Sequence, residues 1–236
     1  MAYQAVFKRY ELKYMLTAAQ KEQILQVMAP YMALDQYGRT TIRNIYFDTD
    51  NYRLIRRSIE KPVYKEKLRI RSYRKAQSRD KVFVELKKKF DGVVYKRRIS
   101  MPQQQAMDWL CGGIAPPNSQ IGREVEYFRN YYATLRPAVY LSYQREAYYC
   151  RDGSDFRVTF DDHIFARQDR LSLEEEPDGQ QILPEGMVLM ELKTSGAIPL
   201  WMTKHLTDAR IFKTSFSKYG TAYQTMICDK GAYLHV

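Results

Sequence analysis

The sequence predicts an α+β fold in which helices pack outside an eight-stranded antiparallel β-barrel with a charged lumen. The stretch Lys65–Ser72 alternates cations with apolar residues, and a strand sends alternate side chains to opposite faces. Lys65, Lys67, Arg69 and Arg71 therefore share one face, and the apolar residues share the other. The alternation recurs in five segments: Arg9–Lys13, Glu85–Lys89, Tyr143–Arg145, Arg157–Asp161 and Met190–Lys193. A closed barrel of about eight strands places such charged faces around a lumen that can hold a small ligand.

Eight strands follow from this pattern and from the turn signals between them. We predict strands at 5–14, 39–48, 62–74, 81–90, 93–100, 138–149, 155–161 and 187–194. Asp91-Gly92, between two of these strands, is a strong signal for a tight hairpin.

Helices are predicted between the strands. The predicted ranges are 17–32, Pro102 to Gly112-Gly113, 121–135, 199–207 and Ser217 to Met226. Thr17, followed three residues later by Gln20, is a capping pair that starts the first helix. Residues 174–179 are predicted to form an acidic surface loop. We expect residues 1–236 to form a single domain.

The charge of the chain indicates an anionic partner. The formal net charge is +11 and the isoelectric point is near 9.4. Between Lys61 and Arg98 there are fifteen Lys or Arg residues against four Asp or Glu. This local excess favours a focused binding site. A basic sheet face exposed to solvent is the alternative interpretation.

Several other classes are not supported by the sequence. The three cysteines and three histidines have no metal-binding or redox spacing, so neither a zinc site nor a nucleophilic triad is expected. The same cysteine usage predicts a reduced, cytoplasmic location. The chain enters a strand-like pattern at once, so a signal peptide is not expected, and its apolar runs are too short to span a bilayer. Phosphate-loop, kinase and dinucleotide-binding motifs are absent from the sequence.

The charged rows suit a chain of phosphates, because Arg binds phosphate oxygens in a bidentate manner and Lys supplies a compact charge. Glu11, Glu85, Asp161 and Glu191 lie in the same rows. Each carboxylate either pairs with neighbouring cations or holds Mg²⁺ or Mn²⁺ together with substrate phosphates. Glu191 is the strongest metal candidate, because it lies mid-strand between apolar residues.

The balance of charges also bears on the reaction. Hydrolysis of a phosphoanhydride requires an activated water, which carboxylates and metals usually provide. Transfer to another phosphate needs no general base, because the acceptor oxygen is already anionic. A lumen rich in cations and poor in carboxylates therefore favours transfer.

Eight short motifs in order carry a family resemblance: Arg9–Tyr14, Ile45–Asp48, Lys67–Arg71, Glu85–Lys89, Arg145–Ala147, Val158–Asp161, Glu191–Lys193 and Ser217–Gly220. Over about residues 5–228 the chain resembles the VTC domain, the polyphosphate polymerase branch of the CYTH-like triphosphate tunnel metalloenzyme superfamily. The resemblance implies an eight-stranded tunnel. It also implies transfer of the ATP γ-phosphate onto a growing polyphosphate chain with a divalent metal, usually Mn²⁺, with Mg²⁺ the alternative.

The resemblance and the charged rows together give a set of candidate site residues. The predicted catalytic residues are Lys13, Arg69, Arg71, Lys87 and Arg145. The predicted substrate-binding residues, for ATP and for pyrophosphate or polyphosphate, are Arg9, Lys67, Lys89, Arg157, Lys193, Ser217 and Lys218. The predicted metal ligands are Glu191, Glu11 and Glu85.

Two departures from the family pattern bear on function. Ser215 stands where eukaryotic members carry a second lysine three residues before the one matched by Lys218. Arg9 stands where the hydrolytic branch carries the first glutamate of Glu-x-Glu-x-Lys, which favours a polymerase over a hydrolase. The resemblance is to a stand-alone bacterial form, for which a membrane-protein partner is left open.

Two alternatives to the polymerase remain. One is a hydrolase of inorganic triphosphate or polyphosphate. The other is a non-catalytic polyanion-binding domain. Nucleic acid is not the expected ligand, because the cations alternate with apolar residues inside strands rather than lying on exposed helices or tails.

Overall fold

A computed structural model describes residues 6–228 of the chain. The strands in this range are β1 (Val6–Thr17), β2 (Met32–Leu34), β3 (Thr40–Asp48), β4 (Tyr64–Ser72), β5 (Lys81–Phe90), β6 (Val93–Pro102), β7 (Arg136–Cys150), β8 (Arg157–Arg167), β9 (Gln180–Gln181) and β10 (Met187–Thr194). The helices are α1 (Ala18–Met28), α2 (Arg53–Ile59), α3 (Gln103–Leu110), α4 (Gln120–Tyr131), α5 (Leu200–Asp208) and α6 (Lys218–Tyr223), and a π-helical segment (Gln224–Cys228) follows α6.

Eight of these strands close into a ring. Around it the order is β3, β4, β5, β6, β1, β10, β8 and β7, and β7 pairs again with β3. Every pairing in the ring is antiparallel. The short strands β2 and β9 pair with β7 and β8. The predicted α+β class and eight-stranded antiparallel ring are therefore confirmed.

The apolar faces of the ring strands are covered by helices. Leu68 of β4 shares a buried cluster with Trp109 of α3 and Phe128 of α4. In a second cluster, Met28 of α1 packs with Leu192 of β10 and residues of α5. Burial of each large apolar side chain contributes about 1.5–3 kcal/mol. The charged faces are therefore left to point inward.

Helix α6 departs from the prediction that helices pack outside the ring. Tyr219 of α6 stacks on Tyr46 of β3, with ring centroids 4.7 Å apart. The ammonium of Lys218 lies 4.7 Å from the ring centroid of Tyr143 on β7. Tyr46 and Tyr143 both line the lumen. Aromatic residues on the inward faces of β3 and β7 thus give α6 an apolar surface inside the ring.

The structure confirms two local predictions, the tight hairpin at Asp91-Gly92 and the capping pair of Thr17 and Gln20. Asp91 and Gly92 have φ values of 43° and 80°, the left-handed pair that a two-residue hairpin turn of type I′ requires. The Thr17 side chain accepts from the Gln20 backbone, and the Gln20 side chain accepts from the Thr17 backbone, so the capping box forms.

Helix α2 was not predicted, because its cap comes from a neighbouring element. Its first turn has no side-chain cap of its own. Instead the buried carboxylate of Asp48, at the end of β3, accepts hydrogen bonds from the backbone of Leu54 (2.9 Å) and Ile55 (3.0 Å). The Tyr219 hydroxyl donates to the same carboxylate at 2.9 Å, which connects α2 to α6. Strands β2 and β9 were also missed, because they are too short to show alternation.

Candidate active site

The ring encloses a cavity of about 1050 Å³ whose walls are strongly basic. Among the described lining residues there are fifteen cations and three carboxylates. The cations are Arg9, Lys13, Lys65, Lys67, Arg69, Arg71, Lys87, Lys89, Lys96, Arg98, Arg145, Arg157, Lys193, Lys213 and Lys218, and the carboxylates are Glu11, Asp35 and Glu191. Low-dielectric walls lined by one sign of charge concentrate counter-ions, so the cavity is suited to a polyanion.

The strand register arranges the inward-facing residues of β4, β5 and β6 in successive rows. From one end to the other the rows are Arg71 and Phe83; Arg69, Glu85 and Arg98; Lys67, Lys87 and Lys96; and Lys65, Lys89 and Val94. We call the end with Tyr73 and Phe83 the aromatic end, and the end with Lys65 and Lys89 the lysine end. The guanidinium groups on these strands therefore lie nearer the aromatic end, and the ammonium groups lie beyond them.

Glu85 is fully buried behind the guanidinium groups and is not among the residues that line the cavity. Its Oε2 accepts from Arg69 Nη2 at 2.6 Å, and its Oε1 accepts from Arg98 Nε at 2.7 Å. Burial alone would raise the pKa of Glu85, but Arg69, Arg71, Lys96 and Arg98 hold it well below its usual range. Glu85 is therefore an ionised counter-ion that fixes two arginines at the lumen.

Asp161 has the same role on the other side of the ring. It is fully buried, and Arg145 binds it in a bidentate manner, with Nε–Oδ1 and Nη2–Oδ2 distances of 2.6 Å. Lys218 Nζ lies 2.6 Å from Oδ2. Burial would raise the pKa of Asp161, but these two cations lower it. Asp161 thus holds Arg145 and Lys218 in place from behind.

Glu191 differs from these two carboxylates because it lines the cavity and four cations surround it. Its Oε1 lies 3.1 Å from Lys218 Nζ and 3.5 Å from Lys13 Nζ. Its Oε2 lies 2.9 Å from Lys193 Nζ and 3.6 Å from Arg145 Nη2. Burial would raise its pKa, but Lys193, Lys218, Lys13 and Arg145 hold it well below the usual range. Glu191 is therefore ionised.

Glu11 is the other inward carboxylate of the central region. Its Oε2 lies 2.5 Å from Lys87 Nζ. Burial opposes ionisation, but the charges of Lys87 and Lys193 and the hydrogen bond from Lys87 together outweigh it, and the pKa of Glu11 falls to about 2. Like Glu191, this group is a poor general base at neutral pH.

Lys67 is a half-buried cation with no carboxylate partner among residues 6–228. Its Nζ donates to Ser217 Oγ at 2.8 Å, and it forms none of the ion pairs found there. Burial, and then the nearby ammonium groups of Lys13 and Lys87, lower its pKa well below the usual value. A phosphate bound beside Lys67 would supply the missing negative charge.

The predicted metal ligands do not form a cage made of protein groups alone. No group of three or more His, Cys, Asp or Glu able to hold a metal occurs in the described part of the chain. Magnesium-type ions, however, are commonly held by one or two carboxylates together with substrate phosphates. Glu191, with Glu11 near it, fits that arrangement. Glu85 instead pairs with Arg69 and Arg98.

The structure brings the predicted catalytic and substrate-binding residues into this one cavity. The residues are Arg9, Lys13, Lys67, Arg69, Arg71, Lys87, Lys89, Arg145, Arg157, Lys193, Ser217 and Lys218. Sequence reasoning placed Lys65 on the charged face but gave it no site role, and it did not assign Lys96, Arg98 or Lys213; these four residues also line the cavity. The spacing of Lys96 and Arg98 on β6 was an available signal, whereas Lys213 lies outside any regular strand or helix.

A closed antiparallel ring with a cation-lined lumen, and a helix-borne lysine inside it, defines a tunnel domain suited to polyanions. The sequence model of the VTC domain family matches residues 8–227. The chain belongs to that family, as the resemblance had indicated.

Two solved structures have similar folds. One is a Bacillus halodurans protein provisionally assigned as an adenylate cyclase, with a TM-score of 0.59 and 14% identity, covering 95% of this chain and 100% of that one. The other is a Hippeastrum protein, provisionally assigned as an adenylyl cyclase and described as having a dominant triphosphatase activity. Its TM-score is 0.54 and its identity 16%, over 92% of this chain and 95% of that one. Identities this low bear on the fold alone.

No curated protein matches the sequence. Within residues 6–228, none of the helices has the length and apolar character needed to cross a bilayer.

Proposed function

We propose that the protein is an ATP-dependent polyphosphate polymerase. The observation that carries the proposal is that the cavity carries cations along its length, while Glu11 and Glu191, its central carboxylates, are both paired with lysines. Such a site holds two phosphate chains close together but offers poor groups for activating water. Membership of the VTC domain family supports the same reaction.

In the proposed reaction, a terminal oxygen of the polyphosphate chain forms a bond to the γ-phosphorus of ATP. The bond between that phosphorus and the β,γ-bridging oxygen breaks, and ADP leaves. The acceptor oxygen is already anionic, so no proton needs to be removed. Arg69, Arg71 and Arg145 hold the phosphates by charge-assisted hydrogen bonds, while Lys13 and Lys87 neutralise charge in the lumen.

The proposal includes a divalent cation, Mn²⁺ or Mg²⁺. Glu191, with Glu11 nearby, would hold it together with phosphate oxygens. When bound, such an ion neutralises charge on the phosphates that bond to it. We also propose a cytoplasmic location, because ATP is available there and Cys111, Cys150 and Cys228 are unpaired.

A hydrolase acting on triphosphate or polyphosphate is the second candidate. The triphosphatase activity described for the Hippeastrum protein favours it, because that protein shares the fold. The two candidates differ in product. A polymerase makes long chains and ADP, whereas a hydrolase releases free phosphate.

The test is incubation with ATP, Mn²⁺ and trace pyrophosphate, followed by gel separation of polyphosphate and assay of free phosphate. We expect a ladder of chains from the natural sequence. Arg69→Ala and Glu191→Gln should abolish it, because one variant removes a phosphate-binding cation and the other a metal ligand. Arg74→Ala is the matched control for the arginine, because the Arg74 side chain is 75% exposed and lies outside the cavity.

Free phosphate without chains would favour the hydrolase. Full turnover in both site variants would contradict the site assignment. Binding of polyphosphate with no product from ATP would indicate a non-catalytic polyanion-binding domain.

A further inference from the structure

The two ends of the cavity differ in chemistry. At the lysine end, Lys65 and Lys89 lie opposite each other on β4 and β5. At the aromatic end, Tyr73 packs edge-on against Phe83, with ring centroids 5.5 Å apart and an interplanar angle of 80°. The guanidinium of Arg98 lies 4.6 Å from the Phe83 centroid, and its Nη2 donates to the Tyr73 hydroxyl at 2.7 Å. The aromatic end is thus a fixed arrangement of rings beside a cation.

A third aromatic residue, Tyr37, belongs to the same end. Strand β3 runs opposite to β4, with Asn44 facing Arg71, so the start of β3 at Thr40 lies toward the aromatic end. The turn that precedes Thr40 carries Tyr37. Tyr37 is 69% exposed and Tyr73 is 40% exposed, although both line the cavity.

Exposed aromatic rings contribute little to the binding of a phosphate chain, because phosphate oxygens need cations and hydrogen-bond donors. A nucleobase, in contrast, presents a flat face, and stacking on an aromatic side chain is worth about 1–3 kcal/mol. We infer that Tyr37 and Tyr73 hold the nucleoside of the donor nucleotide at the aromatic end. This inference rests on the proposed use of ATP as the donor.

The spacing of the rows fits this orientation. From the row of Arg71 to the row of Lys67 there are four residues along β4, or about 13 Å at a rise of ~3.3 Å per residue. A nucleotide with its base at Tyr73 therefore passes its phosphates along Arg71 and Arg69 toward Lys67. Stacking recognises the face of a base and not its edge. ATP and GTP should consequently bind with affinities within a few-fold of each other.

The test compares a nucleotide with a ligand that has no nucleoside. The β,γ-imido analogue of ATP and inorganic tripolyphosphate are titrated calorimetrically into the protein and its variants. Tyr37→Ala should weaken binding of the analogue about tenfold, as expected for the loss of one stacking contact. It should leave tripolyphosphate affinity within about twofold, because no cation is removed.

Two further variants make the result specific. Tyr73→Phe keeps the ring but loses the hydroxyl that bonds Arg98, and it should retain analogue affinity. Tyr73→Ala removes the ring and should lose affinity for the analogue. Tyr127→Ala is the control, because Tyr127 is 73% exposed on α4 and does not line the cavity.

Equal weakening of both ligands by Tyr37→Ala, or unchanged binding of the analogue in both alanine variants, would overturn the inference. Selective loss of the analogue would support it even if the protein made no polyphosphate, because the readout is binding and not turnover. Failure of the natural sequence to bind the analogue while it binds tripolyphosphate would overturn both this inference and ATP as the donor.

Discussion

Lys218 Nζ lies 2.6 Å from Asp161 Oδ2, which joins the first residue of α6 to the wall of β8. The same ammonium lies 3.1 Å from Glu191 Oε1. The helix inside the ring is therefore held by the charges that also line the proposed site. We therefore expect stability and phosphate binding to be coupled through Lys218.

Replacing Lys218 should destabilise the fold. Lys218→Met leaves part of the negative charge of Asp161 and Glu191 unpaired in a buried position, and loss of one partner from a buried ion pair costs about 3–5 kcal/mol. We expect the free energy of unfolding in urea to fall by about 3 kcal/mol. Lys204→Met is the control, because Lys204 is 78% exposed and its pair with Asp208 contributes little. Equal unfolding midpoints for the two variants would contradict the structural role of Lys218.

Glu85 and Glu191 should differ in metal binding. Glu191 lines the cavity, whereas Glu85 is occupied by Arg69 and Arg98. We expect Glu191→Gln to weaken Mn²⁺ binding at least tenfold in the presence of tripolyphosphate, measured by electron paramagnetic resonance. Glu85→Gln should leave the Mn²⁺ dissociation constant within about threefold but lower the unfolding free energy by about 3 kcal/mol, because it removes a buried charge partner. Similar losses of Mn²⁺ affinity in both variants would restore Glu85 as a metal ligand.

Polyphosphate should stabilise the protein against heat. A ligand that binds only the native state at 100 times its dissociation constant adds about 2.7 kcal/mol. For a chain of this size that corresponds to a rise in Tm of roughly 5–10 °C. Differential scanning fluorimetry with millimolar polyphosphate measures it.

Lys67→Met should reduce this rise in Tm, because Lys67 is a half-buried cation that lines the cavity and has no carboxylate partner among the described residues. Lys75→Met provides the comparison, since Lys75 is 53% exposed and already pairs with Glu176 outside the cavity. Absence of any rise in the natural sequence would argue against a polyanion site in the lumen.

The sequence was informative wherever alternation along one strand decides the outcome. The row from Lys65 to Arg71 could be assigned to the lumen because a strand separates its two faces. The sequence ranked Glu191 first among the metal candidates, but it could not show that Glu85 is held by arginines, since both glutamates lie mid-strand among cations and apolar residues. Their difference arises only when the ring closes and brings Arg98 of β6 onto Glu85. The placement of α6 inside the ring likewise depends on Tyr46, because the stacking of its inward-facing ring on Tyr219 exists only in the assembled sheet.

Two lysines should make anion binding depend on pH near neutrality. Burial, partly opposed by Glu85, lowers the pKa of Lys96 to about 7, and burial, partly opposed by Glu191, lowers that of Lys193 to about 8. A bound polyanion favours the protonated form of both. Affinity for tripolyphosphate should therefore fall as pH rises through 7 and 8, and Lys96→Met should flatten the lower part of this profile.

The free protein should show the opposite trend. In the unfolded chain both lysines keep their ordinary pKa of 10.5, so between the folded and unfolded values the unfolded state binds more protons. The contribution of these lysines therefore makes the free energy of unfolding without ligand rise with pH over that interval. Comparing the natural sequence with Lys96→Met isolates the contribution of Lys96 to this pH dependence. An affinity for tripolyphosphate that is equal at pH 6.5 and pH 9, in urea-free buffer of fixed ionic strength, would show that neither lysine changes its charge on binding.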